Sequence, residues 1–194
     1  MNIRPFSCSI TLLMIFSASC LHGQQDFPKE ETDPGTIVAA QPETASLKMP
    51  EALAKAGFTK FAGMIEAAGL KEDLEQDGPF TCFAPTDDAI QSMPEEVLKK
   101  ISEDPKGELT VAWIKYHFVK GVALKHEHLM KIPGANGYAD RYLRVWVTPE
   151  KIAINRVCEL TRFDIEAANG VIHESSRVLD VEDEVRVFQK NADN

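Results

Sequence analysis

Phe80-Thr81-Cys82-Phe83-Ala84-Pro85-Thr86-Asp87-Asp88-Ala89-Ile90 is the stretch whose reading decides the fold. Aromatic and small apolar residues follow one another through Ala84, interrupted only by Thr81, as in a buried strand. Pro85 removes a backbone donor and biases Ala84 away from helix, so the strand ends there. Thr86 then stands as an N-cap, with Asp87 and Asp88 in a first turn whose dipole favours negative charge. A strand that turns directly into a capped helix fixes two layers against each other, and the rest of the chain packs around that corner.

Upstream, Leu53 and Ala56 belong to a short helix ending near Gly57. A second apolar face runs through Phe61, Met64, Ile65 and Ala68, and Leu70 and Leu74 continue it. Gln76-Asp77-Gly78-Pro79 makes the turn into the strand. Downstream, Met93-Pro94 restarts helix at Glu95, and Pro105-Lys106-Gly107 breaks it. Leu109 to Val119 reads as one long helix, with Leu109, Trp113, Tyr116 and His117 near one stripe and Val111, Ile114 and Phe118 beside it. So wide an apolar surface predicts burial on more than one side.

The period then changes to two. Leu143, Val145 and Val147 alternate with Arg144, Trp146 and Thr148, and a hairpin through Thr148-Pro149-Glu150-Lys151 leads to Ile152 and Ile154. Val157-Cys158, Phe163 to Ile165, Gly170 to His173 and Arg177 to Val181 read as further strands. Helices in the first half and strands in the second predict an α+β fold.

The termini differ in kind. Residues 1–19 read as a signal peptide, with Arg4, an apolar run from Ile10 to Phe16 too short to span a bilayer, and Ser17-Ala18-Ser19 at the cleavage point. Cys20 follows directly, an arrangement that resembles a bacterial lipobox, although Ser17 stands where such boxes usually carry Leu. Either Cys20 becomes the acylated first residue, or ordinary cleavage leaves a secreted or periplasmic protein. Residues 20–46, rich in Gln, Glu, Thr and Pro, read as a disordered tether. The folded part is expected over 47–189, with a frayed tail over 190–194.

Hydrophobic residues make up 44% of the chain, enough for a sizeable core, and the formal net charge of −9 with no basic run argues against nucleic acid as a partner. Membrane contact is expected only through a lipid on Cys20.

Three stretches at definite distances now carry a resemblance. Phe83-Ala84-Pro85-Thr86-Asp87, then Tyr116-His117, then Asn169-Gly170-Val171-Ile172-His173 followed by Arg177-Val178-Leu179 are similar to the boxes of the fasciclin domain, found in fasciclins, periostin and bacterial relatives. The resemblance covers about Leu47 to Val181. It implies a wedge in which a β-sandwich of short strands has helices packed on one side, serving extracellular adhesion or matrix and envelope binding without catalysis or cofactor. The implied partner is an extracellular protein or glycan. Ser175-Ser176 departs from the family's usual Ile-Asp pair, Cys82 replaces a usual aliphatic residue, and residues 133–142 do not match the usual continuation. Neither Asn-Lys-Asp-Ile-Leu nor Arg-Gly-Asp occurs, so integrin binding is not carried over.

Several residues carry two readings. Tyr116 and His117 are either a partner contact or a packed ring and an imidazole that orders backbone. His173 has the same alternatives. A pocket near His117 and His173, holding a small molecule or an envelope-associated enzyme site, is the rival to adhesion. His126-Glu127-His128 offers two imidazoles on one face only if extended, and lacks the spacing of a helix-borne zinc site, so no metal site is expected. Cys82 and Cys158 are either a disulfide contributing about 4 kcal/mol in the chain-entropy model, or two buried thiols acting as small hydrophobes.

Overall fold

The computed structural model describes residues 43–179. The expected signal peptide over 1–19, Cys20, most of the expected 20–46 tether, the last part of the expected 47–189 domain from residue 180 and the expected tail over 190–194 lie outside the described residues. The first elements are helices α1 (Met49–Lys55), α2 (Thr59–Ala67) and α3 (Lys71–Glu75), then strand β1 (Phe80–Pro85). Helices α4 (Asp87–Gln91), α5 (Glu95–Glu103) and α6 (Glu108–Tyr116) follow, then β2 (Phe118–Lys120) and α7 (His126–Leu129). The remainder is strand: β3 (Gly134–Asn136), β4 (Tyr142–Val147), β5 (Ile152–Ile154), β6 (Cys158–Ala167) and β7 (Gly170–Ser175). The fold is α+β.

The seven strands run in the order β2-β1-β7-β6-β5-β4-β3. All neighbours are antiparallel except β1 and β7, which lie parallel with Phe80 opposite Gly170 and Pro85 opposite Ser175. Period-two alternation sends the side chains of one strand to opposite faces. Phe80, Cys82 and Ala84 of β1 thus join a core with Leu53, Phe61, Ile65, Leu74 and Ile114 of the helices, while Phe83 joins a second core with Leu143, Val145, Ile152 and Ile154. Phe118 and Val119 divide between the two cores in the same way. One set of strands therefore has helices on one face and the remaining strands on the other, which is the sandwich with one-sided helices that the resemblance implies.

Strand β6 serves both strand layers. Its first residues pair with β5 and its last with β7, and the register slips twice, between Leu160 and Arg162 and between Arg162 and Ile165. Asp164 sits in that second slip at φ 58°, a left-handed conformation that Asp tolerates better than most residues. The extra residue puts Phe163 and Ile165, two apart, into different cores.

The structure departs from the sequence reading at the Tyr-His stretch. Helix α6 ends at Tyr116 with His117 as its C-cap, and Phe118–Lys120 is strand, because its backbone pairs with Phe80–Cys82. Leu109 is 88% exposed, so the helix is not buried all round; Thr110, Ile114 and Tyr116 are its buried positions. Cys158 and Phe163 to Ile165 do not belong to separate strands, since β6 runs from Cys158 through both, and Val157 lies in the turn before it. Arg177–Leu179 is not strand, and β3 is an element the sequence did not announce. No helix among the described residues is long and apolar enough to cross a membrane.

Candidate functional site

The first box works as a corner. The Thr86 hydroxyl accepts the Ala89 N–H at 3.1 Å, capping α4. Asp87 reaches back across the chain, accepting from Thr59 Oγ1 at 2.5 Å and from the Lys60 N–H at 3.0 Å. Helix α2 has no side-chain cap of its own, so Asp87 supplies one from 27 residues away. Phe83, Ala84 and Pro85 are buried in β1.

The last box is a tie. The Asn169 Oδ1 accepts the Met49 N–H at 2.8 Å, and its Nδ2 donates to the Leu74 and Gln76 carbonyls at 2.7 and 2.8 Å. Its own carbonyl accepts the Phe80 N–H at 2.9 Å. One asparagine thereby fixes the start of α1, the end of α3, the start of β1 and the turn into β7. At Gly170 a Cβ would lie 2.2 Å from the Phe80 carbonyl oxygen, so only glycine allows β1 and β7 to approach this closely. Val171 and Ile172 are buried in β7.

The two box histidines are internal. His117 has no exposed surface; its Nδ1–H donates to the Trp113 carbonyl at 3.0 Å, leaving Nε2 to accept the Leu179 N–H at 2.9 Å. His173 is buried between the rings of Phe83 and Phe163. Its Nε2–H donates to the Leu124 carbonyl at 2.7 Å, and its Nδ1 accepts the Asp164 N–H at 3.3 Å. Burial lowers its pKa to about 4, against smaller upward effects of the Leu124 carbonyl and the Asp164 carboxylate. Each imidazole is thus neutral and joins backbone segments that are distant in the chain.

Tyr116 is equally buried, its hydroxyl accepting from Asn155 Nδ2 at 2.8 Å. A direct partner contact through Tyr116 and His117 is therefore corrected: both side chains lie inside, since the helix ends there and the chain turns into β2. Asn155, which sequence reasoning passed over, holds that site by also accepting the Arg144 N–H at 2.9 Å from φ 53°. Its only signal was an Asn-Arg pair in a tight turn after Ile154, where Asn tolerates a left-handed backbone.

Cys82 and Cys158 are not joined. They belong to different cores, and β7 lies between β1, which carries Cys82, and β6, which carries Cys158. Two strand spacings amount to about 10 Å, beyond the roughly 7 Å that a disulfide spans between Cα atoms. The Cys158 thiol donates to the Arg177 carbonyl at 3.0 Å, and burial pushes the Cys82 thiol pKa well up. His126-Glu127-His128 is helical in α7, not extended, so the two rings do not share a strand face. The His126 ring stands edge-on to Phe163, and His128 Nδ1 accepts the Lys125 N–H.

The outer face of β4 carries what the interior lacks. Tyr142, Arg144 and Trp146, spaced two apart, are exposed, while Leu143 and Val145 between them are buried. Tyr142 and Trp146 are each 45% exposed, and the Arg156 guanidinium stacks 3.7 Å above the indole. Clefts among the described residues include one beside the Asn169 turn, one between α1 and α2, and one of about 500 Å³ walled by α2 and α5. None of these three is lined by His117 or His173.

The family model described as Fasciclin domain matches residues 56–181. Protein sll1483 of Synechocystis sp. is 27% identical over 152 residues, covering 77% of this chain and 82% of that protein. Transforming growth factor-beta-induced protein ig-h3 of Oryctolagus cuniculus is 26% identical over 166 residues, 85% of this chain but 23% of the rabbit protein. Among solved structures, a FAS1 domain pair from the insect cell adhesion molecule Fasciclin I aligns with TM-score 0.56 at 17% identity, covering 71% of this chain and 52% of the pair.

Proposed function

Since the chain belongs to the Fasciclin domain family, we propose that it is a non-catalytic binding module of the adhesion type, acting outside the cell. The observation that carries this reading is the state of the two box histidines. A general base needs a ring nitrogen facing substrate. In both His117 and His173 the two nitrogens are bonded to backbone groups, and neither residue lines the clefts described above. The rival reading, a pocket near His117 and His173, has no cleft to support it among those three.

The binding surface proposed is the outer face of β4. Tyr, Trp and Arg are enriched among the residues that dominate binding energy at interfaces, Tyr and Trp because they bring large contact area at low entropic cost. Tyr142, Trp146 and Arg156 gather them on one face, with the indole and guanidinium already stacked. The partner is an extracellular protein or glycan. Export through residues 1–19 belongs to the same proposal, with Cys20 as a lipid anchor or, failing acylation, a secreted or periplasmic product. Metabolic palmitate labelling of wild type against Cys20→Ser separates the two forms.

The test is a titration of the purified protein against the producing cell's envelope and matrix fractions at low and high salt, alongside Trp146→Ser. Saturable, salt-resistant binding that weakens about tenfold in the variant, with an unchanged melting temperature, is expected. No saturable binding would sink the adhesion reading; binding unchanged by Trp146→Ser would move the surface elsewhere.

A further inference from the structure

The cleft walled by α2 and α5 is built like a small-molecule site. Its volume of about 500 Å³ lies inside the range of about 300–1,000 Å³ typical of ligand pockets. On α2, Lys60, Gly63, Met64 and Ala67 line it at the i, i+3, i+4, i+7 spacing of one helix face. Leu98 and Ile101 of α5 face them, and Ile90 of α4 contributes from between.

The polar side chains of the lining are mostly spent elsewhere. Ser102 Oγ donates to the Lys99 carbonyl at 2.8 Å, and Thr110 Oγ1 to the Asp104 carbonyl at 2.9 Å. Both hydroxyl hydrogens are thus committed to carbonyls at the C-terminal end of α5. Lys60 and Gln91 remain. Lys60 is half-buried, and its ammonium makes no ion pair with any described residue. The neighbouring carboxylate, Asp87, is already engaged by Thr59 and the Lys60 backbone.

Gly63 is the second observation. It stands in the middle of α2, where glycine is the poorest helix former after proline. Yet a Cβ there would meet nothing within 4 Å, so neither packing nor backbone conformation calls for glycine. What the missing side chain does is leave the cleft unobstructed.

We propose that this cleft binds a single-chain aliphatic carboxylate, the chain lying along Met64, Leu98 and Ile101 and the head group meeting the Lys60 ammonium. This goes beyond the adhesion reading and does not use the β4 face. The probes are decanoate and 1-decanol, each titrated calorimetrically below its aggregation threshold into the full chain. Wild type binds both saturably at one site. Gly63→Phe fills the cleft from an exposed, unobstructed position, keeps the helical spectrum and loses at least about tenfold in affinity for both probes. Lys60→Gln weakens decanoate about threefold, the scale of a partly exposed ion pair, and leaves 1-decanol unchanged. Absence of saturable binding, or undiminished binding by folded Gly63→Phe, overturns the proposal. A concentration-dependent dimer in sedimentation that Gly63→Phe dissociates would also overturn it, assigning the cleft to a second copy.

Discussion

Asn169→Ala removes one accepted and two donated hydrogen bonds from a side chain that is 5% exposed. The Gln76 carbonyl lies on an exposed residue and can be rehydrated, but the Met49 N–H and the Leu74 carbonyl belong to buried residues. An unsatisfied buried polar group costs about 1–3 kcal/mol, so these two place the loss at about 3–4 kcal/mol. That is a large share of the roughly 5–15 kcal/mol that holds a domain together. With a urea m-value of about 2 kcal/mol/M, the unfolding midpoint falls by about 1.5–2 M. The assay is urea unfolding followed by tryptophan fluorescence, for which Trp113, packed on Phe61 and His117, is a built-in probe. Asn169→Asp keeps the acceptor for Met49 but aims a carboxylate at two carbonyls. Its folded-state pKa is therefore raised, so the variant is least stable at neutral pH and recovers as pH falls. A midpoint shift below about 0.3 M for Asn169→Ala, at unchanged m, would refute the idea that this residue ties the four segments.

Acid should loosen the fold through His173. Its folded pKa of about 4 lies below its ordinary 6.5, so stability is full above 6.5 and declines as pH falls through that window, by roughly 3 kcal/mol at its end. Asp164 and His126 are the titrating groups beside it, and His173→Gln should flatten the slope of urea midpoint against pH between 6.5 and 4; an unchanged slope assigns the effect to other groups. Two glycines should respond oppositely: Gly170→Ala costs about 3 kcal/mol or more by prising β1 from β7, whereas Gly63→Ala adds about 0.5–1 kcal/mol, both read as midpoint shifts. Cys82 should resist N-ethylmaleimide in the native protein and react once urea unfolds it, as peptide mapping will show; native-state labelling would contradict its burial.

What the sequence revealed was local, and what it concealed depended on partners far along the chain. The cap at Thr86 was legible because strand end, proline, cap and acidic first turn lie within a few residues. The β4–β5 hairpin was legible by its alternation. The end of α6 was not, because Phe118 and Val119 extend an apolar helical pattern and become strand only through pairing with Phe80–Cys82. Strand β3 is Gly-Ala-Asn, which has no strand propensity and is held by β4. The role of Asn169 was out of reach of any pattern, since its side-chain partners lie 93, 95 and 120 residues away. The family boxes singled out Thr86, Asp87, Asn169 and Gly170 without saying what each touches; geometry had to say that Tyr116 and His117 lie inward and that Tyr142, Trp146 and Arg156 face outward.

The parallel pairing of β1 with β7 also sets a timetable. Strand β1 is flanked on one side by β2, which follows it soon in the chain, and on the other by a strand ending at Ser175. Until that last strand has left the ribosome, one edge of β1 stays open and neither core can close around it. At about 5–20 residues per second, the stretch from the end of β1 to the end of β7 takes roughly 5–18 s to make, and through that interval β1 lacks its parallel neighbour. Such late, all-at-once folding leaves the apolar run from Phe80 to Pro85 dependent, in that interval, on whatever shields it from other chains.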